Sequence, residues 1–346
     1  MVSLILFIII LGAIVSVHEF GHFLFAKLSK TYVYEFSIGM GKKIFGKKKK
    51  DGETEFCVRA IPLGGFVMIA GEDTLDDSIP ADRQMCNKGF FQRFMILFAG
   101  AFFNFIFAFL ILFVSALIYG SVSMKPYIGE VAVDYPAYEA GLQEGDLVLS
   151  INDEKIKNWD KGLIILQTVG GKDTVFEVLK KDGSVKEYIV TPKLEVDEDG
   201  NESYKFGIAT NDTKLFGFGN SLKYACSKTI SLFGSMWETI KYLFVGKVGV
   251  NQLSGPVGIY SIVDSQAEQG IEAILYLMAY LSINVGLINL LPFPAFDGGR
   301  ILFLLIEKIF RKPVSKKVEG MIHTIGFFLI LALLAYVTLN DILRLF

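Results

Sequence analysis

The sequence is poor in the residues that would cross-link it or bind metal through sulfur. It has three cysteines, Cys57, Cys86 and Cys226. They lie far apart and form no C-x-x-C pair, so neither a disulfide framework nor a thiolate metal site is indicated. Histidine is equally scarce, at three residues. Internal repeats and low-complexity tracts are absent. The first apolar segment lacks a basic start and an A-x-A-like cleavage site, so it reads as retained rather than as a removed signal peptide. Net charge is only −2, which says little because the positive residues are segregated locally. No nucleic-acid partner is expected.

What the chain has in excess is apolar surface. Hydrophobic residues make up 52% of its 346 positions, and mean hydropathy is +0.46, well above a soluble average. The excess sits in four blocks, roughly 2–26, 94–119, 273–295 and 321–338, each long enough for a hydrocarbon core of about 30 Å. Lys27, Lys30, Lys42, Lys43 and the run Lys47 to Lys50 follow the first block. Arg300, Lys308, Arg311, Lys312, Lys316 and Lys317 follow the third. The positive-inside rule makes both loops cytoplasmic and puts the N-terminus, residues 120–270 and the C-terminus outside. The lipid bilayer is therefore the first expected partner, in an inner (cytoplasmic) membrane.

Between the first two blocks, β-branched and aromatic runs punctuated by glycine predict strands and a hairpin around Gly64 and Gly65. IPLGGFVMIAG is too apolar for an exposed hairpin. It either enters the membrane, where non-helical backbone must be buried or line a cavity, or packs on a small cytoplasmic subdomain. Residues 127–210 are mixed and charged like a soluble domain, with a turn at Gly145-Asp146, a strand Leu147–Ile151 and a second turn at Asn152-Asp153. Pro136, Ala137, Ala140, Gly141, Leu142, Gly145 and Asp146 resemble the pattern of bacterial-protease PDZ domains, which bind extended peptides at a sheet edge. Residues 218–245 are amphipathic, either lying on or re-entering the membrane or packing on the preceding domain. LSGPVGI (253–259) reads as a broken loop. The expected fold is a polytopic α-helical membrane protein of about four transmembrane helices, with a membrane-associated β-hairpin or sheet and an inserted extracytoplasmic α+β domain. The boundaries are 1–120, 121–210 and 211–346.

Near the end of the first block the chain reads SVHEFGHFLF. His18 and His22 are four apart, about 400° of rotation and ~6 Å of rise, so both imidazoles share one helix face. Two such imidazoles can chelate a tetrahedral Zn²⁺, and Glu19 could take a proton from water, the arrangement of H-E-x-x-H zinc proteases. The bland alternative places all three at the interfacial end, paired with lysines. Polar groups in mid-membrane cost on the order of 2–3 kcal/mol or more each, so three together ask for compensation. Asp297, in INLLPFPAFDGGR, is the candidate third ligand. Blocks one and three run in the same direction, and both His18, ~24 Å along its helix, and Asp297 fall toward the inner end. Asp297-Gly298-Gly299 could instead merely cap a helix, but a two-histidine site lacks an anionic partner and favours the ligand. Pro292 and Pro294 break the helix before it. Asn289 could hydrogen-bond a substrate or an oxyanion, or tie helices together. His323 reads as an ordinary interfacial residue.

Taken in order, HEFGH, IPLGGF, the PDZ-like stretch, LSGPVGI and N-x-x-P-x-x-x-x-D-G (Asn289, Pro292, Asp297, Gly298) resemble the site-2 protease family of intramembrane metalloproteases, in its bacterial RseP-like branch. The resemblance implies one zinc ion held by His18, His22 and Asp297, with Glu19 as general base. It implies substrate contacts at Asn289 and Pro292, and at Gly64, Gly65 and Phe66 through an added strand. The substrates would be transmembrane segments of single-span proteins, and peptides or proteins would bind the PDZ-like domain. The sequence departs from the family at Ala101, where a proline is common, while Asn104 is retained. It also has room for only one PDZ-like domain. A metal-stabilised PDZ scaffold would want a fourth protein ligand; a cation transporter would want polar groups through several spans and has no use for Glu19.

Overall fold

Among the described residues, four helices are long and apolar enough to cross a membrane: α1 (Val2–Leu28), α2 (Phe90–Tyr119), α7 (Ile271–Leu290) and α9 (Lys316–Leu343). They carry the four apolar blocks of the sequence. The structure is a computed structural model describing residues 2–48, 52–72, 75–196, 202–211, 213–249 and 253–343. By its internal contacts the chain forms two units, Met1–Ile111 with Val250–Phe346, and Leu112–Gly249.

In the first unit, α1 is apolar on every side up to Val17, as a helix bathed in lipid or buried in protein must be. Its first half packs Ile10 and Ile14 against Val263 and Leu277. Its end packs Ala26 with Val33, Ile69, Met85, Ile96, Leu97 and Leu304. Two long antiparallel strands follow, β1 (Val33–Lys48) and β2 (Glu55–Ile69). Phe36 lies opposite both Phe56 and Val67, so β2 bends back and flanks the first half of β1 on both sides.

That bend corrects the expected hairpin around Gly64 and Gly65. Both glycines are buried inside β2, and the β1–β2 connection falls at residues 49–54, of which 49–51 lie outside the described residues. Gly64 has φ +90°, and a Cβ there would come within 2.6 Å of Met40 Cε. A Cβ on Gly65 would come within 2.6 Å of the Ser37 carbonyl oxygen. The freedom of glycine that signals a turn in sequence is used here to kink a strand and bring it close to its neighbour.

The third apolar block also ends earlier than the sequence suggested. α7 stops at Leu290, because Pro292 and Pro294 cannot continue it. A short loop with Ala295 at φ +79° leads into α8 (Asp297–Phe310), which takes up most of a stretch read as loop. α9 grips this connection. His323 Nδ1 accepts the Ala295 amide (2.9 Å), so His323 is more than an interfacial residue, and a Cβ on Gly326 would lie 2.4 Å from Pro294 Cβ.

Of the LSGPVGI stretch, residues 253–255 are the loop expected, but Pro256 already opens α6 (Pro256–Glu268). The Asp341 carboxylate, near the end of α9 and buried, accepts the Gly255 and Gly258 amides, both at 2.8 Å. A side chain on Gly255 would lie 2.8 Å from that carboxylate, so the glycine is what admits it. A carboxylate on the free amides of a helix N-terminus satisfies both the dipole and the unpaired donors.

The second unit holds β3 (Ile128–Val131), α3 (Pro136–Glu139), β4 (Leu147–Ile151), β5 (Glu154–Lys155), α4 (Trp159–Val169), β6 (Thr174–Leu179), β7 (Val185–Val190), β8 (Lys193–Val196), β9 (Glu202–Lys205), β10 (Ile208–Thr210) and α5 (Phe218–Val245). Strands order β5-β4-β6-β7, with separate pairs β10-β3 and β8-β9. Ile128, Leu142, Val148, Ile151, Phe176 and Val178 form the core. β4 spans the residues expected of it, and Asn152 and Asp153 take φ +50° and +65°, the left-handed pair of a two-residue hairpin. Lys228 of α5 meets Asp160 at 2.5 Å, and Tyr242 donates to Glu154 at 3.2 Å. Of the two placements open to the amphipathic stretch, it thus packs on the inserted domain, outside the 121–210 boundary.

Replacing Asp341 by alanine leaves two helix-terminal amides without an acceptor. The expected cost is on the order of 3 kcal/mol, read as a lower midpoint in equilibrium unfolding of the detergent-purified protein. An unchanged midpoint would show that the carboxylate does not hold α6 and α9 together.

Candidate metal centre

Three side chains from two distant parts of the chain meet in the first unit. His18 and His22 project from one face of α1, as their spacing dictates. Asp297 is the first residue of α8, where the helix dipole favours a carboxylate. His18 Nε2 lies 3.1 Å from His22 Nε2, and Asp297 Oδ2 lies 3.1 Å and 3.3 Å from the two. A tetrahedral ion with bonds of about 2.0–2.1 Å has ligand–ligand edges of about 3.3 Å. The triangle therefore fits zinc.

Proton placement strengthens that fit. His22 Nδ1 sits 2.7 Å from the Ile96 carbonyl oxygen, which can only accept, so Nδ1 carries a proton and Nε2 is the nitrogen that holds the lone pair in the neutral imidazole. Asp297 Oδ2 is buried, and its polar neighbours among the described residues are the two imidazole Nε2 atoms. Lone pairs crowded this closely repel unless a cation lies between them. The Asp297 side chain keeps 19% of its surface exposed.

Close packing holds the three in place. A Cβ on Gly100 of α2 would lie 2.3 Å from His22 Nε2 and 2.7 Å from His18 Cε1. A Cβ on Gly21 would lie 2.3 Å from the Ala99 carbonyl oxygen. α2 thus presses its backbone against both imidazoles, which only glycine allows. On the other side, Cβ atoms on Gly298 and Gly299 would strike the Leu291 and Phe293 carbonyl oxygens at 2.2 Å and 2.4 Å. The two glycines after Asp297 let α8 start hard against the loop that precedes it. Arg300, one turn on, pairs with Glu72 at 2.7 Å.

Glu19 stands apart from the triangle: the mutually close donor atoms are those of His18, His22 and Asp297. Its Oε2 accepts the Val67 amide of β2 at 3.1 Å. Among the described residues this donor group has three protein members, one fewer than a closed structural zinc site wants.

Comparison with known proteins shows the family. The model of Peptidase family M50 matches residues 6–333. The chain belongs to peptidase family M50. A Fusobacterium nucleatum protein is 37% identical over 342 residues, 98% of each chain. The Bacillus subtilis regulator of sigma-W protease RasP is 32% identical, with 99% of each chain covered. The zinc metalloprotease RasP of Shouchella clausii is 30% identical at the same coverage. A solved PDZ domain of an SdrC-like protein from Listeria monocytogenes covers 26% of this chain and 92% of its own, at 20% identity and a TM-score of 0.22. As an M50 member the chain is a site-2 type metalloprotease, which implies zinc, and its apolar helices and bacterial relatives make it a bacterial membrane protein.

The remaining candidates fall into two groups. Gly64, Gly65 and Phe66 lie on the part of β2 next to α1, with a Cβ on Gly65 only 3.9 Å from Glu19 Cγ; Phe66 also stacks under the Arg59 guanidinium, 5.0 Å away. Asn289 is half-buried at the end of α7, and Pro292 is exposed in the following loop. Sequence reasoning missed the roles of Gly100 and Ile96. A glycine in an apolar span is an available signal; a backbone carbonyl leaves none.

Gly100→Ala is expected to push the imidazoles apart and weaken zinc binding on the order of tenfold or more, with helical content unchanged. Chelator competition alongside circular dichroism checks this; wild-type zinc affinity would show that the close approach of α2 is not needed.

Proposed function

We propose that this M50 member hydrolyses peptide bonds within transmembrane segments of single-span membrane proteins, with Glu19 as general base and a single zinc ion held by His18, His22 and Asp297. The observation that carries the reading is the convergence of three lone-pair donors beside a carboxylate outside their triangle. When bound, zinc supplies Lewis acidity to the scissile carbonyl and to water. Glu19 takes a proton from the attacking water and returns it to the leaving amine as the C–N bond breaks. The Val67 amide keeps the carboxylate turned toward the strand until substrate arrives.

A substrate helix hides its amides in its own hydrogen bonds, so it must unwind before attack. Residues Gly65–Ile69 pair with β1 on one side and turn the Val67 amide away from it toward Glu19. That edge, once Glu19 releases the amide, suits an extended segment added as a strand, with Gly64, Gly65 and Phe66 along it and Asn289 and Pro292 as further contacts. The inserted domain offers a comparable edge. β10 pairs with β3 alone, and a groove of about 480 Å³ between it and α4 is lined by Tyr135, Trp159, Leu163, Leu166, Phe206 and Ile208. This supports a PDZ-type peptide site that screens substrates. The lysine- and arginine-rich loops favour a catalytic site toward the cytoplasm and an inserted domain outside.

Glu19→Gln is expected to keep zinc near one equivalent while cleavage of a single-span substrate in detergent disappears, a loss of at least about 10²-fold. Asp297→Ala is expected to lose the metal as well. A Glu19→Gln protein that still cleaves would remove Glu19 from its role.

A further inference from the structure

We propose that Asn104 is the positioning residue for His18, accepting the proton on Nδ1 and so aiming the Nε2 lone pair at the cation. The inference rests on the reading that His18, His22 and Asp297 hold zinc. His18 Nε2 is the nitrogen that faces His22 and Asp297, at 3.1 Å from each. Its Nδ1 must then carry the proton, and a buried N–H needs an acceptor. The one polar group described at hydrogen-bond distance from Nδ1 is the Asn104 side-chain amide, whose Nδ2 lies 3.3 Å away.

The amide is fully buried, and its Oδ1 has no hydrogen-bond partner. A half-turn about χ2 exchanges oxygen for nitrogen in nearly the same space. It pairs Oδ1 with the Nδ1 proton and ends the isolation of that oxygen. The two imidazoles then follow one rule: each gives its Nδ1 proton to an acceptor on α2, His22 to the Ile96 carbonyl and His18 to Asn104. Ile96 and Asn104 are separated by about two helical turns, with Gly100 midway against both rings.

Asn104 is also held from behind. Its backbone carbonyl accepts the Ser282 hydroxyl of α7 at 2.9 Å, and a Cβ on Gly286 of α7 would lie 3.2 Å from its Cβ. α7 is the helix that leads to Asp297. The residue that orients one ligand is thus braced by the helix that delivers another.

A polar residue in a span can simply tie helices together, and the test separates the two roles. Full-length wild type, Asn104→Leu and Asn104→Asp are purified in detergent and stripped with chelator. Zinc affinity is then measured by chelator competition, and thermal unfolding on the zinc-free proteins. Asn104→Leu, which fills the space without an acceptor, is expected to lose on the order of 10- to 100-fold in zinc affinity. Asn104→Asp restores the acceptor and is expected to bind within about threefold of wild type, with zinc-free unfolding unchanged across the set. Should Asn104→Leu not fold, Asn104→Ala carries the same comparison. Equal zinc affinity in the leucine and wild-type proteins, or an aspartate variant as weak as the leucine one, would overturn the positioning role. Wild type that binds no zinc would overturn the metal-centre reading, and this role with it.

Discussion

Three lone pairs, two imidazole and one carboxylate, are held about 3 Å apart where lipid-facing side chains would otherwise be expected. In a low-dielectric setting such an arrangement is costly unless a cation shares it, and the backbone around it leaves the groups little room to separate. The constraint is met with glycine. Gly21 lets α1 and α2 touch backbone to backbone, Gly100 lets α2 touch both rings, and Gly298 and Gly299 let α8 begin against its own connecting loop. Helices in a membrane gain little from hydrophobic contact with one another and associate through close packing and polar ties. The same small residues that make the site geometrically possible are therefore also those that hold its helices together.

The carboxylate of Glu19 shows how one backbone feature can serve two ends. β2 is kinked at Gly64, which brings Gly65–Ile69 alongside α1 with one edge against β1. An edge strand normally carries a risk of unwanted pairing. Here it lies beside α1, and the Val67 amide is taken up by Glu19. In the proposed reaction that edge becomes the place where an unwound substrate is kept extended, so recognition and proton transfer share one strand.

The two ends of the chain are linked through α6, by a polar cap on one side and apolar packing on the other. Asp341, close to the C-terminus, caps α6 through two amides, and α6 packs Val263 against Ile10 and Ile14 of α1. His323 and Gly326 hold the loop that presents Asp297. α9 thus bears on the histidine helix through α6 and on the aspartate through this loop, without contributing to the ligand triangle.

The local features were legible in the sequence because each depends on residues a few positions apart. The His18–His22 spacing follows from the helical repeat, the four spans from run length, the β4 hairpin from Asn152-Asp153, and the end of α7 from its prolines. Asp297 could be proposed as a ligand only through depth and family resemblance, since nothing local distinguishes a metal-binding aspartate from a helix cap. Gly64 and Gly65 were misread because a glycine pair announces unusual backbone angles without saying whether they close a turn or kink a strand. The amphipathic α5 could have lain on lipid or on protein, because its pattern is the same for both. The sequence alone therefore determined which groups could bind a cation and which segments could enter a membrane. Only the tertiary structure decided that the groups meet, that α2 sets the Ile96 carbonyl and the Asn104 amide behind the two imidazoles, and that a strand edge faces the Glu19 carboxylate. Those contacts join segments remote in the chain, and the backbone carbonyls and missing side chains that make them possible leave no periodic mark.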